Sequence, residues 1–137
     1  MRKLLIASHG RFAEGLAHSV TSFAGNRPEL SFMCCYMDNT DPEEQIGTYF
    51  DTLDQDDEVL VFTDLLGGSV NQKFMKYLNR PHTHIIAGVT MSILLEAIFL
   101  PEEYLEPVQI ETLADFGRST IQYMNTYQVR ESPGDEL

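Results

Sequence analysis

Leu4-Leu5-Ile6-Ala7-Ser8-His9-Gly10 is the stretch from which the fold is read. Its opening apolar run has the form of a strand buried on both faces, and Phe12, Leu16, Val20 and Phe23 then recur at helical spacing from Arg11 onward. A strand that hands over to a helix through a serine, a histidine and a glycine sets that histidine at the carboxyl edge of a sheet. Open α/β sheets hold their ligands at that edge.

Working outward, residues 30–37 read as a second strand after the Asn26-Arg27-Pro28 break. Thr40 or Asp41 caps a helix that starts with Pro42 and runs to about Leu53. Residues 58–63 form a near-continuous apolar strand of the doubly buried type, ending at Asp64. Leu65-Leu66-Gly67-Gly68-Ser69 is a loop, with Ser69 as the expected cap of a helix over 70–78 and Asn79-Arg80-Pro81 as its stop. A fourth strand is expected over 83–89 and a deeply buried helix over 91–100, closed by Pro101. Val108-Gln109-Ile110-Glu111-Thr112 alternates with period two, which predicts an antiparallel edge strand, and a last helix is expected over 113–127.

This succession of β–α units predicts a doubly wound, mainly parallel α/β sheet with helices on both faces. In the flavodoxin-like order 2-1-3-4 the first and third strands are neighbours, and His9 and Asp64 face each other across the switch point. Residues 1–128 are read as one domain and 129–137 as a flexible acidic tail.

The formal charge of −12 argues against nucleic acid, whose binding needs clustered Lys and Arg, and favours a basic protein partner. The acid runs at 54–58 and 131–137 read as solvated segments. No secretory leader or membrane span is expected. Cys34 and Cys35 are adjacent on a strand and point to opposite faces, so they read as apolar fillers in a reducing cytoplasm.

A histidine beside a carboxylate is a poised nucleophile, since the carboxylate takes one ring N–H and leaves the other nitrogen with its lone pair exposed. His9 is then the attacking group and Asp64 its orienter. Helix N-termini after His9 and after Ser69 suit a phosphoryl group, and Gly67 and Gly68 let the backbone approach an anion. Gly10 and the Ser69 hydroxyl join this phosphate-binding set, while Arg11 either reaches a bound phosphate or faces water. Each residue has a plain structural reading as well: a loop histidine, a turn aspartate, a tight Gly-Gly connection, a capping serine. Their convergence at one crevice carries the functional one. His18 reads as a solvated helix residue, and His82 and His84 lie at the opposite sheet edge without a third metal ligand.

Leu4 to Gly10, Val61-Phe62-Thr63-Asp64-Leu65-Leu66-Gly67-Gly68-Ser69, and Ile86-Ala87-Gly88-Val89 with Leu94-Leu95-Glu96 together resemble the enzyme IIA domain of the mannose family of the bacterial phosphoenolpyruvate-dependent sugar phosphotransferase system. The resemblance covers about residues 1–127. It implies that His9 accepts a phosphoryl group from the phosphocarrier HPr and passes it to enzyme IIB, that Asp64 orients the His9 ring, and that Gly67-Gly68-Ser69 helps hold the phosphoryl group. It implies a homodimer that exchanges a carboxyl-terminal strand, here 108–112; the transfer itself, which rests on positioning and charge stabilisation, demands no metal or nucleotide cofactor. Many members have proline after Gly-Gly-Ser and asparagine three residues after the serine. This chain has Val70 and Asn71 instead, which weakens a role for Asn71.

Three rivals share part of this pattern. The phosphotransfer subunit that feeds a dihydroxyacetone kinase has the same fold but typically Ser-His-Ser where this chain has Ser8-His9-Gly10. A histidine phosphatase needs arginine where Ser8 stands. A receiver-type signalling domain phosphorylated on Asp64 needs an acidic pair after the first strand, where this chain has Ser8-His9.

Overall fold

The apolar run at the amino terminus extends in both directions into β1 (Arg2–His9), so His9 is the last residue of the strand. The structure, a computed structural model, describes residues 1–127; the acidic segment 129–137 and its expected flexibility lie outside the described residues. After β1 come α1 (Phe12–Ala24), β2 (Leu30–Cys35), α2 (Pro42–Asp51), β3 (Glu58–Thr63) and α3 (Ser69–Phe74), the last prolonged by a 3₁₀ turn over Met75–Tyr77. β4 (Thr83–Ala87), α4 (Met91–Ile98) and α5 (Pro107–Ser119) complete the described chain.

The sheet order is β2-β1-β3-β4 and every pairing is parallel. Alternate residues of the two central strands serve opposite faces. Leu4, Ile6, Leu60 and Phe62 pack with Ala13, Ala17 and Val20 of α1, Ile93, Leu94 and Ala97 of α4, and Leu113 of α5. Leu5, Ala7, Val59 and Val61 pack with Ile46 of α2 and with Val70 and Phe74 of α3. At about 1.5–3 kcal/mol for each fully buried large aliphatic or aromatic side chain, this double burial outweighs any weak local preference of the strands. The fold is the expected α/β sandwich of a parallel sheet between helix layers.

The segment 108–112 is a correction. It lies inside α5, which starts six residues before the point expected and ends at Ser119. Period-two alternation suggested a strand, but Pro107 occupies the first helical turn and Glu106 and Gln109 form a reciprocal capping box. Ile110, Leu113 and Gly117 then recur at helical spacing toward the core, with Gly117 so close to Ile93 that an added Cβ would lie 3.1 Å from its Cδ1. Among the described residues the sheet has no antiparallel strand, and 108–112 is helix in place of the exchanged strand expected.

The acid run before β3 also differs from its solvated reading, since Asp57 and Glu58 are buried. Asp57 Oδ2 accepts the Asp54 N–H at 2.9 Å and Oδ1 faces the terminal ammonium at 3.4 Å. Glu58 Oε1 accepts from Arg2 Nε at 2.6 Å, and its Oε2 accepts the Leu105 N–H at 2.7 Å. One carboxylate thus ties β1 to β3 and to the segment entering α5. Replacing it removes the counter-charge of a nearly buried guanidinium, which keeps only the Leu100 and Glu103 carbonyls, and leaves the Leu105 amide without its acceptor. Glu58→Ala is predicted to lose about 3 kcal/mol of stability in urea denaturation.

His84 Nε2, on β4, is buried without a hydrogen bond, 3.7 Å from Glu58 Oε2. Burial pushes its pKa below the ordinary 6.5, assisted by Arg2 and His82 and opposed by Glu58. The unfolded chain therefore takes up this proton at higher pH than the fold does. His84 contributes stability above its unfolded pKa, and that contribution is lost as the pH falls below it. Urea midpoints measured between about pH 8 and pH 5 are predicted to fall with acidification, and to fall less in His84→Gln.

Candidate functional site at the carboxyl ends of β1 and β3

β1 and β3 are direct neighbours, with Ala7 opposite Thr63, yet the chain leaves β1 toward the helix layer of α1 and leaves β3 toward that of α3. This divergence opens the crevice expected at a switch point. His9 stands exposed at its edge, and Asp64, the first residue after β3, is half-buried beside it. Asp64 Oδ2 accepts the backbone N–H of His9 at 2.8 Å. The carboxylate therefore holds the main chain of His9. The hydrogen bond to the imidazole that the sequence suggested is not among those the described residues make.

The turn out of β1 is locked by a residue read from sequence only as small. Buried Ser8 accepts the Ala13 N–H on its Oγ at 2.8 Å and donates to the Gly10 carbonyl at 3.0 Å. Gly10 adopts φ 70°, a left-handed conformation that glycine takes without cost, and its N–H bonds the Cys35 carbonyl at 2.9 Å. Arg11 precedes α1 and turns its guanidinium onto Glu14 Oε1, at 2.7 Å from Nε and 2.6 Å from Nη2. It faces solvent as one half of that pair.

The loop after Asp64 is fastened from below by Asn71. Asn71 Oδ1 accepts the Gly67 N–H at 3.1 Å and its Nδ2 donates to Thr63 Oγ1 at 3.0 Å, while Gln72 Nε2 donates to the Gly67 carbonyl at 2.8 Å. Asn71 is buried, and the weakened role that its register suggested is replaced by a structural one. Gly68 is required by close approach, because a Cβ there would lie 3.2 Å from the Leu65 carbonyl oxygen. The N-cap of α3 is Gly68 and makes no side-chain cap bond; Ser69 is the first helical residue, not the cap, and is exposed. Its hydroxyl is thereby available at the crevice rim, next to the exposed side chains of Leu65 and Leu66.

Tyr36 is the site residue that sequence reasoning missed. It follows β2 with φ 63°, a left-handed backbone that costs a residue with a Cβ about 1–2 kcal/mol. Its ring stacks on the His9 imidazole, with centroids 4.8 Å apart and planes 29° from parallel. No sequence pattern announces this, since left-handed tyrosine has no compositional signature. Beneath it, burial and then the charge of Asp64 push the Cys35 thiol up to about 11, so it stays protonated at neutral pH and is no nucleophile. Both cysteines are free. His18 is exposed on α1, and His82 and His84 lie at the opposite sheet edge, His82 stacked on Tyr104 at 3.6 Å. Among the described residues no three His, Cys, Asp or Glu side chains converge as a metal site, and no helix is long and apolar enough to cross a membrane.

The comparison with known proteins agrees with this geometry. The family model described as the PTS system fructose IIA component, EIIA-man, matches residues 3–107. A Klebsiella pneumoniae protein described as a phosphoenolpyruvate-dependent sugar phosphotransferase system permease is 31% identical, with a TM-score of 0.86 over 91% of this chain and 92% of that one. The IIA protein associated with the fucose utilization operon of Streptococcus pneumoniae is 26% identical, with a TM-score of 0.75 over 90% and 93% of the two chains. The mannose/sorbose specific IIA subunit of Enterococcus faecalis, 22% identical, shares the fold with a TM-score of 0.76 over 96% and 98%. With three quarters of its length inside the family model and its switch-point crevice intact, the chain belongs to the mannose-type enzyme IIA family, a phosphotransfer component of the sugar phosphotransferase system.

Proposed function

We propose that the protein is a cytoplasmic phosphoryl carrier in which His9 accepts a phosphoryl group from phospho-HPr and delivers it to an enzyme IIB. The observation that carries this reading is the exposed imidazole at the carboxyl end of β1, set on a main chain that Asp64 and Ser8 lock on either side. A ring nitrogen of neutral His9 attacks phosphorus in line as the N–P bond of the donor phosphohistidine breaks, and the donor imidazole leaves with that electron pair. The second transfer repeats the exchange toward enzyme IIB. Bond formed and bond broken are alike, so the step needs positioning and charge stabilisation more than covalent apparatus. Gly10, Gly67 and Gly68, whose own N–H groups are taken by the Cys35 carbonyl, Asn71 Oδ1 and the Leu65 carbonyl, shape the turns that let the group approach. The amino end of α1 and the Ser69 hydroxyl supply donors for the phosphoryl oxygens. Arg11 joins them by exchanging Glu14 for the phosphoryl group. Asp64 orients His9 by fixing its main chain.

A homodimer remains part of this reading, supported by the exposed Val108 on α5 and the exposed Ile121, Tyr123 and Met124 that follow it. Within the single chain 108–112 is helix and not a strand.

Incubation with phosphoenolpyruvate, enzyme I and HPr is predicted to add one acid-labile phosphate to wild-type protein and none to His9→Ala. Asp64→Asn is predicted to accept it about tenfold more slowly or worse. Incorporation that survives His9→Ala overturns the assignment, and transfer to a dihydroxyacetone kinase in place of enzyme IIB supports the related kinase-feeding role.

A further inference from the structure

Two non-glycine residues of the described chain have left-handed backbone, Tyr36 and His82, and each carries its ring in an aromatic stack. Tyr36 comes directly after Cys35, which is paired with His9 across the β1–β2 ladder, and its ring lies over the His9 imidazole. At 40% exposure it is not a core side chain. Among the described residues its hydroxyl makes no hydrogen bond and its ring meets no aromatic partner but His9. The turn itself is met at lower cost by glycine or asparagine. What a tyrosine adds there is the stack.

Asp64 grips the backbone of His9 and leaves the ring torsions to other contacts. We propose that Tyr36 is a positioning residue for His9, holding the imidazole by stacking so that one face is covered and the attacking nitrogen points along a fixed line into the crevice. This rests on the reading of His9 as the phosphoryl acceptor. In-line transfer is sensitive to the direction of that lone pair, and an imidazole free to swing spends part of its time out of line. The tyrosine face also favours the positive charge that the imidazole carries when a phosphoryl group and a proton occupy its two nitrogens.

The test compares Tyr36→Gly, which removes the ring and suits the backbone, with Tyr36→Phe, which keeps it. Two readouts are taken on folded protein, the NMR shifts of the His9 ring protons and the rate of acceptance from phospho-HPr. Tyr36→Gly is expected to move the ring signals downfield and slow acceptance on the order of tenfold, within the roughly 100-fold that a 1 Å misplacement costs. Tyr36→Phe is expected to restore both. Unchanged His9 shifts in Tyr36→Gly, an unchanged rate despite shifted signals, or a Tyr36→Phe as slow as Tyr36→Gly each overturn the proposal. A wild-type protein that accepts no phosphate overturns the carrier reading itself, and the proposal with it, even where the ring shifts confirm the stack.

Discussion

β1 must pair in parallel with β2 on one side and β3 on the other, while burying side chains on both faces. Parallel pairs cannot be closed by tight hairpins, so each connection crosses a face of the sheet as a helix. The connections from β1 to β2 and from β2 to β3 take opposite faces, because β2 lies to one side of β1 and β3 to the other. The crevice between the ends of β1 and β3 is what this winding leaves over. Its position follows from the sheet order before any side chain is chosen.

Within that crevice the work is divided among residues from separate elements. Ser8 and Asp64 hold the backbone around His9, Tyr36 holds its ring, and Asn71 holds the loop that closes the far wall. His9 is exposed, while Ser8 and Asn71 are buried, Asp64 is half-buried and Tyr36 is partly exposed, so position comes from the rigid sheet and access from the open edge of the crevice. The opposite end of the sheet does different work. Glu58 there joins Arg2, the Leu105 amide and His84 in a cluster whose role is to hold β1, β3, β4 and the α5 entry together.

Much of this was legible because the information is local. The doubly buried runs in β1 and β3 have no helical period, and His9 and Asp64 sit where those runs stop. The parallel pairing follows from the β–α succession, and the order 2-1-3-4, one of the common doubly wound orders, is the one the sheet adopts. What was not legible depends on long-range contact or on conformation. Residues 108–112 satisfy a strand pattern and a helix pattern alike, and the deciding signal lay just upstream in Glu106, Pro107 and Gln109. Burial of Glu58 depends on Arg2 and Leu105, 56 and 47 residues away. Asn71 owes its role to a loop it reaches back to, and Tyr36 to a backbone angle that composition does not encode. Asp64 was placed correctly beside His9, but which atom of His9 it bonds is a matter of ångströms.

All of this turns on where the phosphoryl group resides. Phosphorus NMR of the protein phosphorylated through HPr, with correlation from phosphorus to ring protons, reads that position directly. The geometry predicts a single phosphoramidate signal coupled to the His9 ring. A signal from an acyl phosphate on Asp64, or coupling to His18, His82 or His84, would contradict it.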